Sequence, residues 1–68
     1  METMIDKSGE RLKTARGLES IASVCAAVGI SESALRMYEA GKRRPRDEIK
    51  ARLARYYRTT VQALFFAD

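Results

Sequence analysis

Residues 20–45 read SIASVCAAVGISESALRMYEAGKRRP, and this stretch decides the fold. Its first apolar side chains recur with the i, i+3, i+4, i+7 spacing of an amphipathic helix. They are Ile21, Val24, Cys25 and Val28. Ser20 is a suitable N-cap for this helix, and Gly29 ends it. Ser31 is the N-cap of a second helix, which is predicted over residues 32–40. The stretch therefore predicts two short helices joined by a tight turn.

The rest of the chain also has helical patterns, and no segment alternates as a β-strand does. Further short helices are predicted at residues 7–16, from about residue 45 onward, and after Thr60, which can cap the last of them. We therefore predict an all-α, compact bundle of five helices at residues 7–68, preceded by a flexible tail over residues 1–6.

Length and composition exclude several classes of protein. The chain has 68 residues, no His and one Cys, which allows one small domain and no internal disulfide. These counts leave no zinc ligand set and no nucleophile–base pair, so we predict no metal, no cofactor, no catalytic residues and no small-molecule ligand. No apolar run is long enough for a membrane span or a secretory leader, which predicts a cytoplasmic protein.

The net charge of +4 is unevenly placed. Residues 1–35 hold four basic and five acidic side chains, whereas residues 36–68 hold nine basic and four acidic ones. The excess peaks in Lys42-Arg43-Arg44-Pro45-Arg46, directly after the second predicted helix. Such a run is either a solvated loop or a phosphate-binding patch, and its position after two closely joined helices favours the patch.

Two short helices joined by Gly29-Ile30-Ser31 are the sequence form of a helix-turn-helix, although an ordinary αα-hairpin has the same pattern. From Gly9 to Phe66 the chain resembles the Cro/repressor-type helix-turn-helix domain, also called lambda-repressor-like or Xre-type. The matching stretches are GERLKTAR (9–16), VGISESAL (28–35), YEAGKRRP (38–45) and VQALF (61–65). The resemblance implies a five-helix bundle that binds operator DNA as a dimer, in a bacterial or phage regulator.

The residues of the second helix of the motif predict a recognition helix independently of the family resemblance. With Leu35 turned to the core, its outer face is predicted to enter the major groove. The predicted base contacts are Glu32, Ser33, Arg36 and Met37. Arg36 is the strongest of them, because a guanidinium can bond guanine O6 and N7 together. Glu32 has two readings, as an acceptor from cytosine N4 or as a charge that favours the helix dipole. Met37 can also be a packing residue.

Phosphate contacts are expected around this helix. They are Ser20, Ser31, Lys42, Arg43, Arg44 and Arg46, and the resemblance implies Arg16 as a further one. The resemblance also implies an ion pair between Arg16 and Glu39 that ties the recognition helix to the bundle. Two positions depart from the family pattern, because Ile21 stands where many relatives have Gln and Ala40 where many have Asn.

The C-terminal apolar residues Leu64, Phe65 and Phe66 are predicted to form a homodimer interface, with folding of both phenylalanines into the core as the alternative. The expected function is a repressor rather than an activator, since the chain holds nothing beyond the DNA-binding domain to contact polymerase. A second hypothesis is an antitoxin-like module that uses the same fold mainly to hold a partner protein.

Overall fold

The computed structural model of the chain describes residues 7–66. They form α1 (Ser8–Arg16), α2 (Ile21–Val28), α3 (Glu32–Glu39), α4 (Asp47–Tyr56) and a final helix of π type, α5 (Gln62–Phe66). No strand occurs within this range, and the predicted all-α bundle of five helices is confirmed. The tail predicted for residues 1–6 and the last two residues, 67–68, lie outside the described residues. Between residues 7 and 66, no helix has both the length and the apolar composition that crossing a membrane requires.

Side-chain caps set the starts of three helices. The hydroxyl oxygens of Ser20, Ser31 and Thr60 each accept a hydrogen bond, at 3.0 Å, from the backbone N–H three residues further on. Each cap satisfies one of the N–H groups that have no partner inside the helix. The positions of the caps agree with those expected from the sequence, so α2, α3 and α5 begin close to where the pattern places them.

The turn between α2 and α3 depends on Gly29. Its φ of +85° lies in the left-handed region, which a residue without a Cβ adopts at little cost. The N–H groups of Gly29 and Ile30 both donate to the carbonyl oxygen of Cys25, at 2.8 and 3.2 Å. Cys25 itself is buried, and its thiol donates to the carbonyl oxygen of Ser31 at 3.4 Å. Burial raises the pKa of that thiol, so Cys25 acts as a small packing residue where the two helices meet.

The core takes one or more apolar side chains from every helix. Leu12, Val24, Leu35 and Leu53 are fully buried, one from each of the first four helices, and α5 adds Leu64 and Phe65. Those two residues are each 4% exposed, which corrects their assignment to a dimer interface. The reason is that α5 packs on α1, where Arg11 Nη1 donates to the carbonyl oxygen of Leu64 at 3.0 Å. Phe66 is different, with 51% of its surface exposed.

Helix α3 is held in place by a close approach to α1. A Cβ on Gly9 would overlap the carbonyl oxygen of Glu39 and would lie 3.0 Å from the carbonyl oxygen of Tyr38. Only a residue without a side chain therefore lets the two backbones come this close. The same approach fixes which face of α3 is covered by α1 and which is left on the surface.

Candidate nucleic-acid interface

The two faces of α3 differ in burial. Leu35 and Glu39 are buried, whereas Ser33, Arg36 and Met37 are exposed on the opposite side. Glu32 is exposed as well, in the first turn of the helix. The four residues expected to contact bases therefore share one solvent-facing surface, and Met37 lies on that surface rather than in the core.

Two of these residues form an ion pair, called here the outer pair. Arg36 Nη2 lies 3.5 Å from Glu32 Oε1, and the side chains of Arg36 and Glu32 are 62% and 50% exposed. This contact was not among those predicted from the sequence. Their i, i+4 spacing is a signal that predicts it, since residues four apart on a helix lie side by side.

A second Arg–Glu pair, the inner pair, lies beneath α3. Arg16 of α1 donates twice to the Glu39 carboxylate, from Nε to Oε2 at 2.8 Å and from Nη2 to Oε1 at 3.0 Å. The side chains are 22% and 6% exposed. The hydrogen bond from Arg16 to Glu39 raises the pKa of the guanidinium, against the opposing effect of desolvation. This fork-to-fork geometry joins α1 to the end of α3.

The inner pair belongs to a longer chain of contacts. Arg16 Nη1 donates to the carbonyl oxygen of Glu19 at 2.8 Å, in the loop before α2. The Tyr56 hydroxyl of α4 donates to the Glu19 carboxylate, and this hydrogen bond raises the pKa of Tyr56. The sequence pattern did not predict this contact, because Glu19 and Tyr56 are 37 residues apart and share no local spacing. The contacts connect α1, the loop and α4.

The basic loop after α3 flanks the same helix. Its cations Lys42, Arg43, Arg44 and Arg46 are all exposed, while Pro45 is buried and anchors the loop. A surface groove runs between this loop and the start of α3. It is lined by Ile30, Ser31, Ala34, Tyr38, Arg43, Arg44, Arg46, Glu48 and Ile49. The fold therefore brings three of the four basic side chains to the side of α3.

The two serines expected at phosphates are exposed N-caps. The hydroxyl oxygens of Ser20 and Ser31 accept backbone hydrogen bonds, which leaves each O–H able to donate to another acceptor. Ile21 follows Ser20 and packs partly against the core, so the start of α2 offers backbone N–H groups and a serine in place of a glutamine amide. Within the described range, no group of three or more Cys, Asp or Glu side chains is placed to hold a metal ion.

A family model described as a helix-turn-helix domain matches residues 9–64, which is most of the chain. No curated protein and no solved structure matches the chain. The matched range contains α2, α3, the Gly29 turn between them and the basic loop. The chain therefore belongs to the helix-turn-helix family, in its Cro/repressor-type, Xre-like class.

Proposed function

We propose that the protein is a sequence-specific regulator that binds double-stranded DNA with α3 in the major groove. One observation carries this proposal. The exposed face of α3 presents Glu32, Ser33, Arg36 and Met37, and the exposed basic loop lies directly beside it. A major groove admits one α-helix, and the phosphates on its edge attract cations that flank that helix.

The exposed face of α3 is proposed to contact the bases. Arg36 is long, exposed and able to bond O6 and N7 of one guanine. Ser33 is short and serves as a donor or acceptor to a nearby base edge. Met37 supplies an apolar contact to a thymine methyl group. Glu32, which lies beside Arg36, is the fourth proposed base contact.

Phosphate contacts surround this face. The cations of the basic loop, Lys42, Arg43, Arg44 and Arg46, are proposed to meet one strand, and the capped starts of α2 and α3 at Ser20 and Ser31 add O–H and N–H donors. Arg16 has five N–H groups, of which three are donated to Glu39 and Glu19. The main role of the Arg16 side chain is structural, and its remaining N–H groups can donate to a phosphate.

Repression requires no protein surface besides the one that binds DNA, because a bound protein excludes polymerase from the same duplex. We further propose that a homodimer binds a palindromic operator in the cytoplasm, with half-sites ~34 Å apart. Phe66 is the residue that supports dimerisation, since it remains half exposed beside the buried Leu64 and Phe65. Sedimentation of wild-type protein and of Phe66→Ala tests this point, and unchanged sedimentation and DNA affinity in the variant would contradict it.

Salt titration of DNA binding tests the proposed function. Lys42→Ala removes an exposed cation from the basic loop and should lower the slope of log K against log salt by about one. Lys7→Ala is the matched control, because Lys7 is equally cationic and exposed but lines a groove with Glu10, Thr14 and Tyr57 away from α3. The control should keep the wild-type slope. Absence of wild-type binding at low salt, or equal slopes in the two variants, would refute the proposal.

A further inference from the structure

The outer pair places a positive and a negative head group side by side on the surface that the proposed function puts in the major groove. The pair is half exposed and is not needed to start the helix, because Ser31 already caps α3 through the Ala34 N–H. A carboxylate anywhere in the first turn would favour the helix dipole equally well. The position of Glu32, one turn before Arg36, therefore calls for a separate explanation.

The chemistry of Glu32 limits what it can face in the groove. An ionised carboxylate accepts hydrogen bonds and donates none. Guanine presents the acceptors O6 and N7 to the major groove, and thymine presents the acceptor O4. Adenine presents the N6 donor beside the acceptor N7, whereas cytosine presents the N4 donor alone. Phosphate oxygens repel a carboxylate in the same way as base acceptors do. Cytosine N4 is the group that suits Glu32 best.

The spacing of the head groups matches the spacing of bases. Arg36 Nη2 and Glu32 Oε1 are 3.5 Å apart, close to the ~3.4 Å rise between successive bases of a strand. Because a guanidinium has five N–H groups, Arg36 can remain on Glu32 while two other N–H groups bond one guanine. Building on the proposed function, we infer that the outer pair reads two adjacent G·C pairs as one unit. Arg36 binds a guanine, and Glu32 accepts from the N4 amino group of a cytosine in the neighbouring pair.

This arrangement makes Glu32 a specificity residue. Its negative charge opposes binding to any duplex that does not offer a donor at that position. Cytosine N4 offsets this opposition best, because the N6 donor of adenine lies beside the N7 acceptor. Arg36 held by Glu32 also has fewer orientations to lose when it meets guanine. Glu32 should therefore lower the affinity for wrong sites more than it raises the affinity for the right one.

The test begins with selection of bound sites from a random DNA pool by wild-type protein and by Arg36→Ala, which identifies the guanine that Arg36 reads. Fluorescence anisotropy then gives Kd for three duplexes. The first is the selected duplex, the second has thymine in place of the cytosine of the neighbouring pair and adenine in place of its guanine, and the third has N4-methylcytosine in that pair. The proteins compared are wild type, Glu32→Ala and the matched control Glu10→Ala. Glu10 is an exposed acid of α1, in a groove away from α3.

Wild-type protein and Glu10→Ala should each lose about tenfold in affinity on both altered duplexes. Glu32→Ala should bind all three duplexes within about twofold of one another while keeping its preference for the Arg36 guanine, which also shows that the variant is folded. A selected site without adjacent G·C pairs would overturn the inference and leave the proposed function standing. Tenfold discrimination retained by Glu32→Ala would do the same. Failure of wild-type protein to bind DNA at low salt would overturn the proposed function itself.

Discussion

The inner and outer pairs use the same two residue types at opposite ends of α3, and their surroundings give them different roles. The inner pair has two hydrogen bonds and a Glu39 side chain that is 6% exposed. The outer pair has one contact at 3.5 Å between side chains that are more than half and about half exposed. Burial, and not residue type, therefore distinguishes a pair that positions a helix from a pair that is accessible to a partner.

The physical reason lies in desolvation. Removing one member of a buried pair leaves the other charge without water and without a partner, which costs far more than breaking a pair in solvent. An exposed pair is screened and gains little from its own contact. We therefore expect the inner pair to hold α3 in position and the outer pair to contribute mainly to DNA recognition.

Glu39→Ala should give the largest loss of stability. The change leaves Arg16 22% exposed and facing a site without its carboxylate, and the expected loss is about 3 kcal/mol, at the lower end of the range for a broken buried pair. Chemical denaturation followed by circular dichroism measures it. Glu32→Ala, the matched change on the outer face, should cost only about 0.5 kcal/mol. Similar losses of stability in the two variants would show that burial does not distinguish the two pairs.

Gly9→Ala tests how closely α1 must approach the inner face of α3. The added Cβ would meet backbone atoms of Glu39 and Tyr38, which cannot rotate away as a side chain can. Overpacking of this kind should cost about 2 kcal/mol even after the better helix propensity of alanine is counted. Thermal and chemical denaturation measure the loss. Glu10→Ala, at the next position of α1 and exposed, is the control and should leave stability almost unchanged, and a Gly9→Ala variant as stable as wild type would contradict the close approach.

Tyr57 reports on the exclusion of water around the inner pair. Its hydroxyl is buried and has no hydrogen-bond partner among residues 7–66. Desolvation, with a contribution from the Glu39 charge, raises the pKa of Tyr57 to about 12. Tyr57→Phe removes the unsatisfied hydroxyl and keeps the ring, so stability at neutral pH should rise by about 1 kcal/mol. Denaturation of both proteins at pH 7 provides the measurement.

The same variant has a pH signature with a definite sign. An unfolded tyrosine loses its proton near pH 10, whereas the folded Tyr57 keeps its proton up to about pH 12. Between these values the unfolded state binds fewer protons, so the stability of wild type must fall as pH rises. Tyr57→Phe lacks this contribution, and its stability advantage should grow from pH 10 to pH 12. A constant difference across that window would show that water reaches the region of the inner pair.

Much of this arrangement could be predicted from the sequence because its determinants are local. The caps Ser20 and Ser31 and the Gly29 turn depend on residues a few positions apart, and so does the wheel that turns Arg36 outward. The contact between Arg16 and Glu39 was expected from the family resemblance and not from spacing, since 23 residues separate them.

Contacts between distant segments could not be predicted in this way. The hydrogen bond from Tyr56 to Glu19 and the burial of Leu64 and Phe65 depend on how α4 and α5 pack. The sequence of the apolar run Leu64-Phe65-Phe66 does not indicate whether the run packs on the chain's own core or on a second copy of the chain. Only the packing of α5 on α1 separates the two buried residues from the exposed Phe66.

The smallest expected effect is the coupling within the outer pair, measured by a double-mutant cycle of Glu32→Ala and Arg36→Ala. The cycle cancels the separate effect of Glu32 on the helix dipole and isolates the contact between the two side chains. For an exposed i, i+4 pair we expect a coupling below about 0.5 kcal/mol, decreasing further as salt screens the charges. The corresponding cycle of Arg16→Ala and Glu39→Ala should give a coupling several times larger that salt changes much less. An outer coupling as large as the inner one would mean that Glu32 and Arg36 contribute to folding as the inner pair does, and would contradict the separation of the two pairs by burial.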